Sequence, residues 1–253
     1  MFNITKKRTM IIATEEAKRL SVAPDQTQLF SRLLQILAEE NILSTDGTEF
    51  WPTDPLPRHD AADLYERAVE QFGSKCAELS ILRRCGVALA DVLKGEKNAV
   101  GLLFPDGSLE EARQLYIEAP FARTFNGAIA ELLRQVIQTV PDDHRVRILE
   151  IGGGTGGSTG SILAAFEGRQ IEYVFTDVSP HFLDDASRTY GHVAGFSTDI
   201  LNIESDPASQ GQDLESFDIV VAANVLHATE DLCKAVLHAQ SLLSPGGQLL
   251  LLE

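Results

Sequence analysis

From Arg147 onward the chain alternates between two textures, and this alternation constrains its fold more than any other feature. RILEIGGG, EYVFTDVSP, FDIVVAANVLHA and GGQLLLLE are short apolar runs rich in Ile, Val, Leu, Phe and Tyr. Three intervals between them carry apolar residues at helical spacing. Strands that alternate with helices predict a parallel, doubly wound α/β sheet. Ligands of such sheets sit beyond the carboxyl ends of the strands, where strand order reverses. Chemistry is therefore sought at the ends of these runs.

The preceding half has a different character. Residues 1–24 are polar, end in Ala23-Pro24-Asp25 and are expected to be a linker or arm. Residues 25–120 are expected to form a small, mainly helical subdomain, and residues 121–253 the core. Leu29, Phe30, Leu33, Leu34, Ile36 and Leu37 recur at helical spacing and predict a helix over Gln26–Glu40. ILSTDGTEFWP predicts a hairpin around Asp46-Gly47, and TDPLPRHD a loop. Asp60 is placed to cap a helix through Phe72, and Glu78–Leu93 carries another helical pattern. Ser108 is placed to open a short helix with Glu111 as its capping-box partner. A long amphipathic helix is expected from Phe121 to Val140, ended by Pro141-Asp142-Asp143.

Composition narrows the function classes. At 253 residues the chain is long enough to bury a substantial core. No apolar run approaches the ~20 residues of a membrane span, and the N-terminus lacks the long apolar stretch of a secretory signal, so a cytoplasmic location is expected. Cys76, Cys85 and Cys233 form no CxxC pair, and the histidines show no HxxxH or HxH spacing, so no metal site is expected. A net charge of −16 repels phosphate backbones and disfavours nucleic acid as a substrate. The dense basic groups Lys6-Lys7-Arg8 and Arg83-Arg84 read as solvated surface charge.

The first strand ends in Glu150-Ile151-Gly152-Gly153-Gly154-Thr155-Gly156-Gly157. Glycines at a strand-to-helix turn let the backbone approach a ligand closely and adopt positive φ. The acidic Glu150 before the turn suits a cationic amino-acid ligand better than a diphosphate. Asp177 ends the second strand, where a carboxylate accepts ribose hydroxyls of a nucleoside cofactor, caps the helix starting near Ser179-Pro180, or does both.

LEIGGGTGGST, YVFTDVSPHFL, FDIVVAANVLHAT and LLSPGGQLLLLE, in this order and spacing, resemble the C-methyltransferase domains of modular (type I) polyketide synthases. The resemblance extends upstream to LAEENIL, ELSILRRCGVALADVLKGE and LLFPDGSLEEARQLYIEAPFARTFN, which look like that family's N-terminal helical lid, and covers roughly residues 28 to 253. It implies a Rossmann-like class I methyltransferase sheet preceded by the lid. It also implies S-adenosylmethionine as cofactor, S-adenosylhomocysteine as product, and methyl transfer to the α-carbon of a β-ketoacyl or malonyl-type thioester. The acyl chain would be held on an acyl carrier protein beside neighbouring synthase domains. The candidate cofactor residues are then Glu150, Gly152, Gly154, Gly156, Asp177, Val178, Asn202 and Asn224. Asn202 replaces the aspartate of the family's Asp-Ile-Glu and still offers an amide oxygen to the adenine amino group, with Asp199 as the other candidate. Phe125 replaces the tyrosine of SPFARxYN, so a hydroxyl is lost there. Tyr116 and Phe125 are candidate substrate contacts, with core packing the alternative for Tyr116.

Carbon methylation needs a base, because the carbon must become an enolate before it attacks. His227 follows the strand FDIVVAANVL, and Glu253 ends the next strand, so their tips are expected to be neighbours. A carboxylate on the distal imidazole nitrogen would fix the tautomer and stabilise the imidazolium. In the family a His–Glu dyad holds these two motif positions; the plain alternatives are a surface histidine and a solvated glutamate. His181, His192 and His238 fall in or beside helical segments and read as structural or exposed. Two other functions fit the same motifs: O- or N-methylation of a small-molecule or peptidyl intermediate, and an inactive structural domain of a synthase. The chain stops at the end of what counts as the fifth sheet strand, whereas class I methyltransferases add two more. It is therefore expected to be a C-terminally truncated fragment of a larger synthase, with its LLLL edge exposed and its activity in isolation in question.

Overall fold

A computed structural model of the chain describes residues 10–53, 60–73 and 76–253. They form two compact units divided between Ser108 and Leu109. Lys6-Lys7-Arg8 and most of TDPLPRHD lie outside the described residues.

The first unit contains β1 (Ile11–Ile12), α1 (Ala13–Arg19), α2 (Thr27–Glu39), β2 (Leu43–Thr45), β3 (Glu49–Pro52), α3 (Ala61–Phe72), α4 (Ala77–Leu93) and α5 (Ala99–Leu103). The hairpin turns where Asp46 Oδ1 accepts the backbone N–H groups of Thr48 and Glu49. Asp60 caps α3 by accepting the Ala62 N–H at 2.7 Å. Residues 10–24, expected to be a linker or an arm, are docked on the first unit. β1 pairs antiparallel with β3, and α1 buries Ala17 against Phe30, Leu34, Leu43 and Phe50. Four apolar residues of this stretch, Ile11, Ala13, Ala17 and Val22, supply its packing.

The second unit begins with α6 (Glu110–Arg113), a π turn (Gln114–Glu118) and α7 (Pro120–Ile137). α6 starts two residues beyond Ser108, with Leu109 in the N-cap position. α7 ends at Ile137 rather than Val140. The compact division precedes the expected one at residue 120, because the π turn packs on α7. Then follow β4 (Val146–Ile151), α8 (Thr159–Ala165), β5 (Ile171–Asp177), α9 (Pro180–Tyr190), β6 (Phe196–Ile200), β7 (Phe217–Ala223), α10 (Leu232–Ser241) and β8 (Leu243–Leu252). All five strands are parallel, in the order β6-β5-β4-β7-β8. Strand order therefore reverses between β4 and β7, and the crevice of this doubly wound sheet lies at their carboxyl ends.

Alternation along β4 sorts the two faces. Val146 and Ile148 pack with Leu133 of α7, Ile162 of α8 and Leu183 of α9; Leu149 and Ile151 pack with Ala235 and Ala239 of α10. β6 was not among the four apolar runs, since FSTDI is an edge strand with a mostly solvated pattern. Its Phe196 stacks on Tyr173 with ring centroids 5.6 Å apart. At the other edge β8 pairs with β7; Leu251 is exposed, whereas Leu249, Leu250 and Leu252 are half-buried against the two cores. Among the described residues no helix is long and apolar enough to cross a membrane.

Leu133 is fully buried between α7 and the sheet. Leu133→Ala is expected to lower the unfolding free energy by about 2–5 kcal/mol, measured as a shifted urea midpoint at unchanged slope.

Candidate active site

The turn after β4 is built on close backbone approaches. Gly152, Gly154 and Gly156 have φ values of +60°, +54° and +74°, which L side chains rarely adopt. A Cβ on Gly152 would lie 2.2 Å from Val225 Cγ2, and one on Gly153 2.1 Å from the Phe175 ring. The first contact brings the turn against the loop after β7, across the crevice.

Glu150 lies beneath this turn rather than in it. Its carboxylate is buried and accepts hydrogen bonds from Ser158 Oγ at 2.8 Å, Thr159 Oγ1 at 2.7 Å and Tyr173 OH at 2.6 Å. Burial raises its pKa, the three hydroxyls oppose that shift, and the Asp177 charge adds to it. Burial and the adjoining Glu150 charge hold the Tyr173 hydroxyl well above its ordinary range. Both Glu150 carboxylate oxygens are thus engaged inside the protein, beneath the surface of the turn.

Asp177, at the end of β5, is buried but bridges two loops. One oxygen accepts the Gly154 N–H at 3.0 Å and the other the Ser179 N–H at 2.8 Å. Ser179 occupies the N-cap position of α9, so Asp177 steadies the start of this helix without capping it. Each carboxylate oxygen keeps further lone-pair capacity. Val178 beside it is exposed. Asn202 Oδ1, expected to meet an adenine amino group, accepts the Glu204 N–H at 3.0 Å in a local turn. Asp199 lies on β6, with one oxygen on its neighbour's amide and the other accepting from Gln212 at 2.7 Å. Asn224 is exposed just beyond β7, with φ +55° and its N–H on Leu252 O at 2.7 Å.

The sheet brings His227 and Glu253 together. Parallel pairing sets Ala223 opposite Leu252, so the residues following β7 and β8 emerge side by side. His227 Nδ1 hydrogen-bonds Glu253 Oε2. Glu253 also accepts the backbone N–H groups of Leu226 at 2.8 Å, Val225 at 3.3 Å and His227 at 3.4 Å. Burial pushes the Glu253 pKa up, and these hydrogen bonds outweigh it, leaving the carboxyl below its ordinary value of 4.5. His238, by contrast, serves structure: its Nδ1 bonds Ile203 O at 2.7 Å.

Tyr116 lies in the π turn with its side chain exposed, and Phe125 is exposed on α7.

The family model described as a methyltransferase domain matches residues 149–249, which contain the glycine turn, Asp177 and His227. The solved CurJ carbon methyltransferase is 36% identical, superposes with a TM-score of 0.90, and is matched over 96% of this chain and 65% of its own. The chain belongs to the methyltransferase domains of polyketide synthases. The methyltransferase domain of the citrinin polyketide synthase aligns at 27% identity with a TM-score of 0.81, over 91% of this chain and 62% of its own. Polyketide synthase ThaG of Burkholderia thailandensis is 38% identical over 204 residues, which are 76% of this chain and 4% of that protein. Non-reducing polyketide synthase mapC of Penicillium brevicompactum is 30% identical over 244 residues, 92% of this chain and 10% of that protein. The chain thus spans a small part of its synthase relatives, and a class I methyltransferase fold of this kind implies use of S-adenosylmethionine.

Sequence reasoning passed over two groups in this methyltransferase domain. One is the hydroxyl set Ser158, Thr159 and Tyr173 around Glu150. The other is Asn126, a buried amide on the apolar face of α7. A polar residue among Ala122, Ile129, Ala130 and Leu133 was the available signal, since a buried amide needs partners.

The lowered Glu253 pKa has a defined consequence for pH. A folded-state value below the unfolded one gives stability that is complete above the ordinary 4.5 and is lost as pH falls through the lowered value. The Tm difference between wild type and Glu253→Gln is therefore expected to shrink as pH falls below about 5, as read in thermal melts.

Proposed function

We propose that this domain transfers the methyl group of S-adenosylmethionine to the α-carbon of a β-ketoacyl or malonyl-type thioester carried on an acyl carrier protein. The observation that carries this reading is the hydrogen-bonded His227–Glu253 pair beside the crevice of the sheet. The similarity to the CurJ carbon methyltransferase supports it.

The cradle fits the cofactor. Glycines at positive φ leave the turn without side chains, and Asp177 has lone-pair capacity for ribose hydroxyls. Gly152, Gly154 and Gly156 would line the amino-acid end, with Asn224 opposite; Val178 would pack against the adenine. The Asn202 amide oxygen, whose remaining lone pair suffices, would meet the adenine amino group. Glu150 would act through the turn it supports. When bound, S-adenosylmethionine supplies an electrophilic methyl on a sulfonium and leaves as S-adenosylhomocysteine.

The protein's own task is proton removal and alignment. With Nδ1–H donated to Glu253, the His227 Nε2 lone pair is the one that would take the α-proton of the thioester. The carbon's electron pair is then available for the new carbon–carbon bond, and the proton stays on His227. Ionised Glu253 stabilises the imidazolium so formed. Tyr116 and Phe125 would contact the acyl chain. The carrier protein and neighbouring synthase domains are the partners in this reading, in keeping with relatives of which the chain spans a tenth or less.

Mass spectrometry of β-ketoacyl carrier protein, incubated with the full-length domain and S-adenosylmethionine, tests the proposal. One methyl should be gained on the acyl arm, and His227→Ala should slow this by about 10²–10⁴-fold while leaving S-adenosylhomocysteine affinity unchanged. A His227→Ala rate near that of wild type would point instead to an acceptor that is already nucleophilic, such as an amine.

A further inference from the structure

Asn126 is tied to both the cofactor turn and the segment beside it. The residue is 7% exposed, and its Nδ2 donates to Tyr116 O at 3.0 Å and to Gly157 O at 2.8 Å. Both partners are carbonyls, so the amide nitrogen must face them and its orientation is unambiguous. Tyr116 belongs to the π turn, a helix irregularity that recurs at functional sites. Gly157 closes the glycine turn, and a Cβ there would lie 3.0 Å from Tyr116 Cβ and 3.1 Å from Tyr116 O. The two backbones are therefore in direct contact, held by one side chain from a third element. A second tether holds the start of the same segment, where Arg113 pairs with Asp185 of α9 and donates to Thr189 at 3.3 Å.

We infer that Asn126 is a positioning residue for the methyl donor: it holds the Tyr116 π turn against Gly157, so that this segment forms one wall of the cofactor site. The inference rests on the proposed binding of S-adenosylmethionine at the glycine turn. Without the amide both must find water, and the segment moves off the turn. Cofactor binding must then reverse that displacement, so the loss falls on affinity for the donor and not on the chemical step.

Calorimetry with S-adenosylhomocysteine on the full-length domain tests this. Asn126→Ala should weaken binding by at least about tenfold, and should raise the KM for S-adenosylmethionine comparably while kcat at saturating donor stays within about threefold. Gly157→Ala pushes the same two backbones apart without touching the amide. It should weaken binding several-fold alone and add little in the Asn126→Ala background, the non-additivity of groups that act as a unit. Gly157→Ala also keeps the test decisive if Asn126→Ala does not fold, since unchanged affinity in that variant overturns the inference. Wild-type affinity in folded Asn126→Ala, or a loss confined to kcat, overturns it equally. Failure of the wild-type domain to bind S-adenosylhomocysteine would instead overturn the cofactor assignment itself.

Discussion

A carboxylate buried among three hydroxyls sets the terms for the rest of the site. Glu150 ends up under the glycine turn because β4 alternates its faces, and an anion there is tolerated only when hydrogen bonds replace its hydration. Three hydroxyls do so, one from β5 and two from the start of α8. The same bonds fix where the strand ends and where the helix begins. The intervening glycines are thereby held in a single path, against Phe175 on one side and Val225 on the other. Asp177 reaches the Gly154 amide only because that path is fixed.

The second half of the site depends on strand register instead. β7 and β8 pair with their ends aligned, so the residues after each strand converge although the chain between them runs through α10. Glu253 then does two things at once. It collects three successive backbone amides of the turn bearing His227, and it takes Nδ1 of the imidazole. The carboxylate that orients the ring also holds the loop carrying it, which couples loop geometry to the side chain's tautomer.

Much of this was legible in the residues. The buried strands β4, β5 and β7 read as apolar runs, the half-buried edge strand β8 did so through its leucines, and parallel topology followed from the helices between them. The edge strand β6 did not, because a strand with one partner and a solvated face needs little apolar character. Residues 10–24 looked like a linker for a related reason: two strand residues and one buried alanine suffice to dock a short segment on an existing sheet. Glu150 was recognised as significant, but its partners were not, since hydroxyls on β5 and α8 carry no pattern that marks them as one cluster. Asn202 illustrates the converse: its amide oxygen, a candidate adenine contact from the sequence, is also engaged in a local turn.

The sequence by itself determined the fold class, the position of the glycine turn and the identity of the His–Glu pair, because hydrophobic periodicity and strand-end residues are local properties of the chain. Only the tertiary structure decided what each polar group is bonded to. Glu150 belongs to the interior, Asp177 to two loops, Asn126 to the glycine turn and the π turn together. Those assignments depend on which strands and helices lie side by side, and contacts between segments remote in the chain leave no periodic trace in it.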